Sequence, residues 1–206
     1  MSELAVKWLG RMDYGSALVE QEKIVQRHSG NTLLLLEHEP VYTIGRTPDQ
    51  SSLRSGTLPH PVVTTNRGGQ ATYHGPGQLV GYPIIDLNPL RRDLHHYLRV
   101  IEELLILTLD SWHIQASRRE GLTGAWVNDR KIASIGVGVK KWITMHGFAL
   151  NVASDLTGFD SITPCGIAGV EMTSLSRELK QEISVEDCAR KCESIFKDQL
   201  LRRLAL

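Results

Sequence analysis

A chain of 206 residues is long enough to bury a substantial core as a single domain over 1–206, without disulfide or metal staples. Its 23 Lys and Arg balance 23 Asp and Glu, so no global field draws it to nucleic acid or to an anionic membrane, and any macromolecular partner must be recognised locally. Three cysteines, Cys165, Cys188 and Cys192, make no disulfide framework. With no secretory pattern in residues 1–7 and an apolar stretch at 101–109 broken by Glu102 and Glu103, the expectation is a soluble cytoplasmic protein that neither crosses nor binds a membrane.

Residues 16–28 set Ala17, Leu18, Ile24 and Val25 at helical spacing, with Gly30 and Asn31 as the stop, which predicts a helix on a sheet. Residues 32–37, dominated by leucine, and 41–44 predict strands around a turn at Glu39 and Pro40. Serines, a glycine and prolines give 46–60 the character of a solvent-facing loop. Strand signals at 62–65 and 79–87 then bracket a glycine-rich segment. Asp93 is a plausible N-cap for a helix bearing Leu94, Tyr97, Leu98, Ile101, Leu105 and Thr108 on one stripe.

Strand patterns return at 125–127, 131–139 and 143–152, joined by turns at Asn128-Asp129 and Lys140-Lys141, so antiparallel pairing is expected. Ser184 and Asp187 open a C-terminal helix that carries Cys188, Ala189, Cys192, Phe196 and Leu200 on one face. Strands and helices come in unequal runs without strict βαβ alternation. The fold class is therefore α+β, with a mixed, largely antiparallel sheet flanked by helices, rather than a doubly wound fold.

The segment Arg67, Gly68, Gly69, Gln70, Ala71, Thr72, Tyr73, His74, Gly75, Pro76, Gly77, Gln78 is built to bring bare backbone close to a ligand. Downstream, Lys131 follows Asn128-Asp129-Arg130, and Cys165 lies between Pro164 and Gly166. A thiol attacks an acyl carbonyl only as thiolate and needs a cationic or basic neighbour, a role Lys131 can fill. The bland readings are that Cys165 is a small buried hydrophobe, that Lys131 is a solvated lysine beside a hairpin tip and that His74 is a satisfied turn histidine. Backbone N–H groups around Gly75 and Gly77, or that of Cys165, are candidate oxyanion donors. Cys188 and Cys192, four apart on an apolar helix face with no histidine at ligand spacing, suit core packing better than a metal. The glycines form neither a Walker loop nor a dinucleotide fingerprint, so no cofactor and no nucleotide is implied by motif.

The segments around Arg67–His74, Lys131 to Gly136 and Thr163 to Gly166 resemble those of the lipoyl(octanoyl) transferases, over about residues 14–178. The resemblance implies the fold of the biotin/lipoate attachment enzymes, related to class II aminoacyl-tRNA synthetases. It also implies transfer of an octanoyl group from octanoyl-acyl carrier protein to a lysine of lipoyl domains, in 2-oxoacid dehydrogenase E2 subunits and the glycine cleavage H protein. Cys165 would carry the acyl thioester and Lys131 would favour its thiolate. Residues 67–74 would line the acyl pocket with Ser134, Ile135, Gly136 and Gly147, Phe148, Ala149, with neither metal nor ATP required. This chain has Ile135 and Phe148 where leucine is expected, and the larger ring would shorten or redirect the acyl channel. Two other readings remain at this level: an ATP-dependent lipoate ligase that uses its lysine rather than a cysteine, and a non-catalytic protein that binds lipoyl domains or lipoate.

Overall fold

The computed structural model, which describes residues 3–27, 30–54 and 56–206, sets the strand richest in leucine second from the edge of its main sheet. In chain order the elements are β1 (Ala5–Met12), α1 (Tyr14–Arg27), β2 (Thr32–His38), β3 (Val41–Ile44), β4 (Val62–Thr64), β5 (Thr72–His74), β6 (Gln78–Ile84) and α2 (Leu94–Asp110). There follow β7 (Ser117–Arg119), β8 (Leu122–Val127), β9 (Arg130–Lys140), β10 (Ile143–Asn151), β11 (Glu171–Met172), α3 (Leu175–Leu179) and α4 (Val185–Leu204). The main sheet runs β1-β2-β6-β10-β9-β8-β7 with β11 beside β9, and a small sheet runs β4-β3-β5. Pairing is antiparallel except for β1 with β2, β3 with β4 and β11 with β9.

The leucine run of β2 has no polar alternation because both faces of that strand are covered. Leu33 and Leu35 enter the core shared with α2 and α4, whereas Leu34 and Leu36 enter the core under α1. The stripe on α2 packs as its spacing predicts: Tyr97, Ile101, Leu105 and Thr108 are buried, and Asp93 caps the helix by accepting from the His96 N–H at 3.0 Å. On α4, Cys188, Cys192, Phe196 and Leu200 have no exposed surface, and Ser184 accepts from the Asp187 N–H. Burying each such large side chain contributes about 1.5–3 kcal/mol, which roots both helices on the sheet.

The chain departs from its sequence pattern in several places. β1 was not foreseen, because an edge strand of mixed exposure shows neither clean alternation nor an apolar run. The helix expected over 16–28 begins at Tyr14 and ends at Arg27, with residue 28 outside the described residues. The turn after β9 is centred on Lys141 and Trp142, both left-handed, not on Lys140 and Lys141. Residues 46–60 are not simply solvent-facing: Ser51–Leu53 form a 3-10 turn that carries Ser52 inside, 3% exposed. The glycine segment is also more regular than expected, since Thr72–His74 pair with β3.

Candidate active site

Lys131 lies only one residue past the tight turn between β8 and β9, yet it is 2% exposed. The cause is a register shift: Trp126 faces Lys131 and Ala125 faces Ala133, so β9 carries one extra residue there. Such a bulge re-aims the neighbouring side chain. The lysine stem then passes Gly124, where a Cβ would lie 2.9 Å from Lys131 Cε and 2.4 Å from the Ala133 carbonyl, while φ of +133° also demands glycine. The Trp126 ring borders the other end, its centroid 5.4 Å from Nζ.

The Lys131 ammonium donates to Cys165 Sγ at 3.3 Å, and Ser134 Oγ lies 3.6 Å from the same sulfur. Cys165 is presented by a short turn, Pro164–Gly166, in which it takes the left-handed conformation (φ 56°) that a non-glycine residue holds only under surrounding constraint. That constraint is visible. The Cys165 N–H donates to the Ala71 carbonyl at 2.8 Å, the Gly166 N–H to Thr163 and the Ile167 N–H to Pro164. Among the described residues, Lys131 has no carboxylate partner, so besides the Trp126 ring face its buried amine meets the Cys165 sulfur.

The glycine segment folds over this pair. Arg67, 7% exposed, donates to the carbonyls of Thr43, Gly68 and Gln70 and to Thr43 Oγ1, which pins the segment to β3. Burial pulls the Arg67 pKa down and no carboxylate among the described residues opposes it. The Gly68 N–H donates to the Val137 carbonyl at 2.8 Å and closes the segment onto β9. Together these elements enclose a cavity of about 430 Å³.

All the residues expected at the site border this cavity except two. Ala71 and Tyr73 face away into a separate small core with Tyr42, Phe159 and Met172. The reason is the alternation of the short strand Thr72–His74 and its lead-in: Gln70, Thr72 and His74 point in, Ala71 and Tyr73 out. Ala71 still serves the site through its carbonyl. Two proposed oxyanion donors are occupied, the Cys165 N–H as above and the Gly77 N–H on Glu37 Oε1 at 2.6 Å.

Sequence reasoning missed the far end of the cavity, formed by Tyr14, Tyr82 and His146 beside His74. Tyr14 Oη lies 3.3 Å from His146 Nδ1, Tyr82 Oη 2.6 Å from His38 Nε2, and His146 Nε2 meets Asn66 Oδ1. Burial depresses His38 and His146 to about 4 and His74 to about 3, and lifts Tyr14 to about 12. These tyrosines and histidines are thus held neutral, with the Arg67 guanidinium as the nearby charge that each of Tyr14, His74, Tyr82 and His146 feels. Left-handed backbone at His146 (φ 57°) turns its ring inward just before β10 begins pairing with β6 at Phe148. No sequence signal marks that kink. Leu94 and Leu98 of α2 and Leu122 of β8 also border the cavity, half-buried rather than in the core. Among the described residues no group of His, Cys, Asp and Glu could hold a metal ion, and no helix is long and apolar enough to cross a membrane.

A family model described as the lipoyl protein ligase A/B catalytic domain matches residues 13–197. An octanoyltransferase of Geobacter metallireducens is 47% identical over 205 residues, covering 98% of this chain and 95% of that one. An octanoyltransferase of Geotalea uraniireducens is 51% identical over 175 residues, covering 83% and 81%. Among solved structures, a bipartite lipoate protein ligase of Thermoplasma acidophilum, studied with its E2 lipoyl domain, superposes with TM-score 0.77 at 15% identity, covering 98% of this chain and 85% of that one. The biotin protein ligase of Aquifex aeolicus with biotin and ATP gives TM-score 0.63 at 12% identity, covering 97% and 72%. At these identities the two structures speak for the fold, the biotin/lipoate attachment fold expected from sequence.

Proposed function

The chain belongs to the lipoyl protein ligase A/B catalytic-domain family and to the octanoyltransferases within it, and from that premise we propose that Cys165 carries the octanoyl group as a thioester between donor and acceptor. The enzyme is an acyltransferase of protein lipoylation. The donor in this reading is octanoyl-acyl carrier protein and the acceptor a lysine of a lipoyl domain, as in E2 subunits and the glycine cleavage H protein. The observation that carries the reading is the 3.3 Å contact between a buried lysine ammonium and a cysteine sulfur, with no other counter-charge for the lysine among the described residues.

Starting from the ammonium–thiolate form, Cys165 attacks the acyl carbonyl, a C–S bond forms, and the carrier thiolate leaves. Lys131 gives that thiolate its proton and becomes a neutral amine. The acceptor lysine, attacking as a neutral amine, forms the amide bond, expels the Cys165 thiolate and returns one proton to Lys131. The dyad is restored and no proton is left over. Thioester to amide is downhill, so the sequence of steps needs no ATP. Ser134, at 3.6 Å from Sγ, adds a second hydrogen-bond donor to the thiolate. The acyl chain runs between the 67–70 segment and Gly136, Gly147 and Ala149, towards Tyr14 and Tyr82.

Mass spectrometry of the intact protein mixed with octanoyl-acyl carrier protein, without ATP, tests this reading. An octanoyl adduct is expected on the wild type, absent from Cys165→Ala and discharged by a lipoyl domain. Transfer that appears only with free octanoate and ATP, and survives Cys165→Ala, would replace it with the adenylating ligase.

A further inference from the structure

Attack on a thioester places a negative charge on the carbonyl oxygen, and an enzyme of this kind stabilises it with donors fixed in advance. The backbone amides of the cysteine turn cannot serve as they stand, since those of Cys165, Gly166 and Ile167 are all bonded to carbonyls, and that of Gly77, which does not border the cavity, is bonded to a carboxylate. Lys131 Nζ is engaged with the sulfur. We propose that the side-chain amide of Gln70, aimed by Ser52, is the donor for this oxyanion, an inference that rests on the thioester reading above.

Four contacts support it. Ser52 Oγ accepts from the Ala71 N–H at 3.1 Å, so its single hydrogen is free for Gln70 Oε1 at 2.9 Å. The bond fixes which way the amide faces: the oxygen turns back to Ser52 and Nε2 turns away from it. Neither hydrogen of Nε2 has a partner among the described residues, and Gln70 borders the cavity. The side chain also lies on the residue next to the nucleophile, for a Cβ at Gly166 would sit 2.7 Å from Gln70 Cγ. Ser52 holds the two pieces in register, because its carbonyl accepts from the Thr163 N–H at 2.7 Å at the base of the cysteine turn. As the C–S bond forms, the carbonyl electron pair moves to oxygen and Nε2 donates to it. When the intermediate collapses the pair returns and the carrier thiolate leaves, with no proton passing to or from Gln70.

Single-turnover acylation of Gln70→Met by octanoyl-acyl carrier protein tests the role, beside alkylation of Cys165 by iodoacetamide, which forms no oxyanion. Acylation should fall by ~10²–10³ with the KM for the donor little changed, while alkylation keeps its wild-type rate. Acylation at wild-type speed overturns the proposal, and so does a loss of alkylation as large as the loss of acylation, which marks a disturbed cysteine turn. Should Gln70→Met not fold, Gln70→Glu decides: it keeps the oxygen for Ser52 but replaces the donor nitrogen by an acceptor, so unimpaired acylation overturns the role and a loss of similar size supports it. Ser52→Ala should slow acylation by a smaller factor, because the amide is then free to turn, and equality with wild type would remove Ser52 as the positioning residue. A wild type that forms no acyl-enzyme at all is a separate outcome that overturns the thioester reading and this inference together.

Discussion

Cys165 and the pair Cys188 and Cys192 are the same side chain in two settings, and the contrast shows what the fold adds to a thiol. Cys188 and Cys192 sit on the inner face of α4 with no exposed surface, where burial pushes Cys188 up to about 12 and Cys192 well above the ordinary range. They behave as small hydrophobes beside Phe196 and Leu200. Cys165 is partly exposed to a cavity, held in left-handed backbone by three turn hydrogen bonds, and faces a buried ammonium. Burial without a cation silences a thiol. In the proposed mechanism, partial access with the Lys131 amine at 3.3 Å is what sets Cys165 apart as the nucleophile.

The largest effect that tests the contrast is Cys165→Ala, which should abolish octanoyl transfer, whereas Cys188→Ala and Cys192→Ala should leave turnover close to wild type in a discontinuous acyl-transfer assay. Retained turnover in Cys165→Ala would end the covalent mechanism. Next in size, Lys131→Ala should lower the rate by at least ~10², since both the thiolate partner and the proton carrier are lost. The C-terminal cysteines should register in stability instead: Cys192→Ala removes a fully buried sulfur and should cost about 1–2 kcal/mol in denaturant unfolding. A variant that loses activity but no stability would place Cys192 in the wrong half of the comparison.

How far each half was legible follows from the kind of signal it leaves. The α4 face repeats at helical spacing behind a Ser184 cap, so its cysteines were readable as core from periodicity alone. Cys165 carried a weaker local mark, flanking Pro164 and Gly166, and the pairing with Lys131 across 34 residues came only through family resemblance. Lys131 looked like a surface residue because the bulge that turns it inward is a register effect between two strands. Tyr14, Tyr82 and His146 were invisible for a similar reason: they come from α1, β6 and a left-handed kink in β10, and meet only in the fold. The side chains of Ala71 and Tyr73 turn out of the cavity because the contiguous motif contains a strand, whose alternation its glycines conceal.

Burial that silences the α4 thiols also holds neutral the imidazoles of His74 and His146 on the cavity wall and of His38 behind Tyr82, and this has a measurable sign. His38, His74 and His146 hold folded pKa values of about 4, 3 and 4, below the ordinary value near 6.5. Between these limits the unfolded chain binds protons that the folded chain does not, so stability rises with pH there. The folded state is therefore fully favoured above pH ~6.5 and loses up to ~1.4 kcal/mol per pH unit for each histidine as pH falls towards 4. Chemical denaturation at pH 7 and pH 5 should show the loss, and His146→Gln should reduce the difference by about one histidine's share. An unchanged difference in that variant would mean that His146 is not held neutral.

Phe148 joins the two regions and offers the smallest and most specific test. Its ring borders the cavity, lies over Gly81 and packs against Phe196 of α4 with ring centroids 5.3 Å apart. A smaller side chain there should lengthen the acyl space on one side and loosen the α4 core on the other. Phe148→Leu should therefore raise decanoyl transfer relative to octanoyl by roughly 10-fold, the scale of a methylene or two in an apolar pocket, while costing about 1 kcal/mol of stability. The two readouts separate its roles. A stability loss with an unchanged chain-length ratio would assign the ring wholly to the α4 core, alongside Cys192, and leave the end of the acyl chain to Tyr14, Tyr82 and His146.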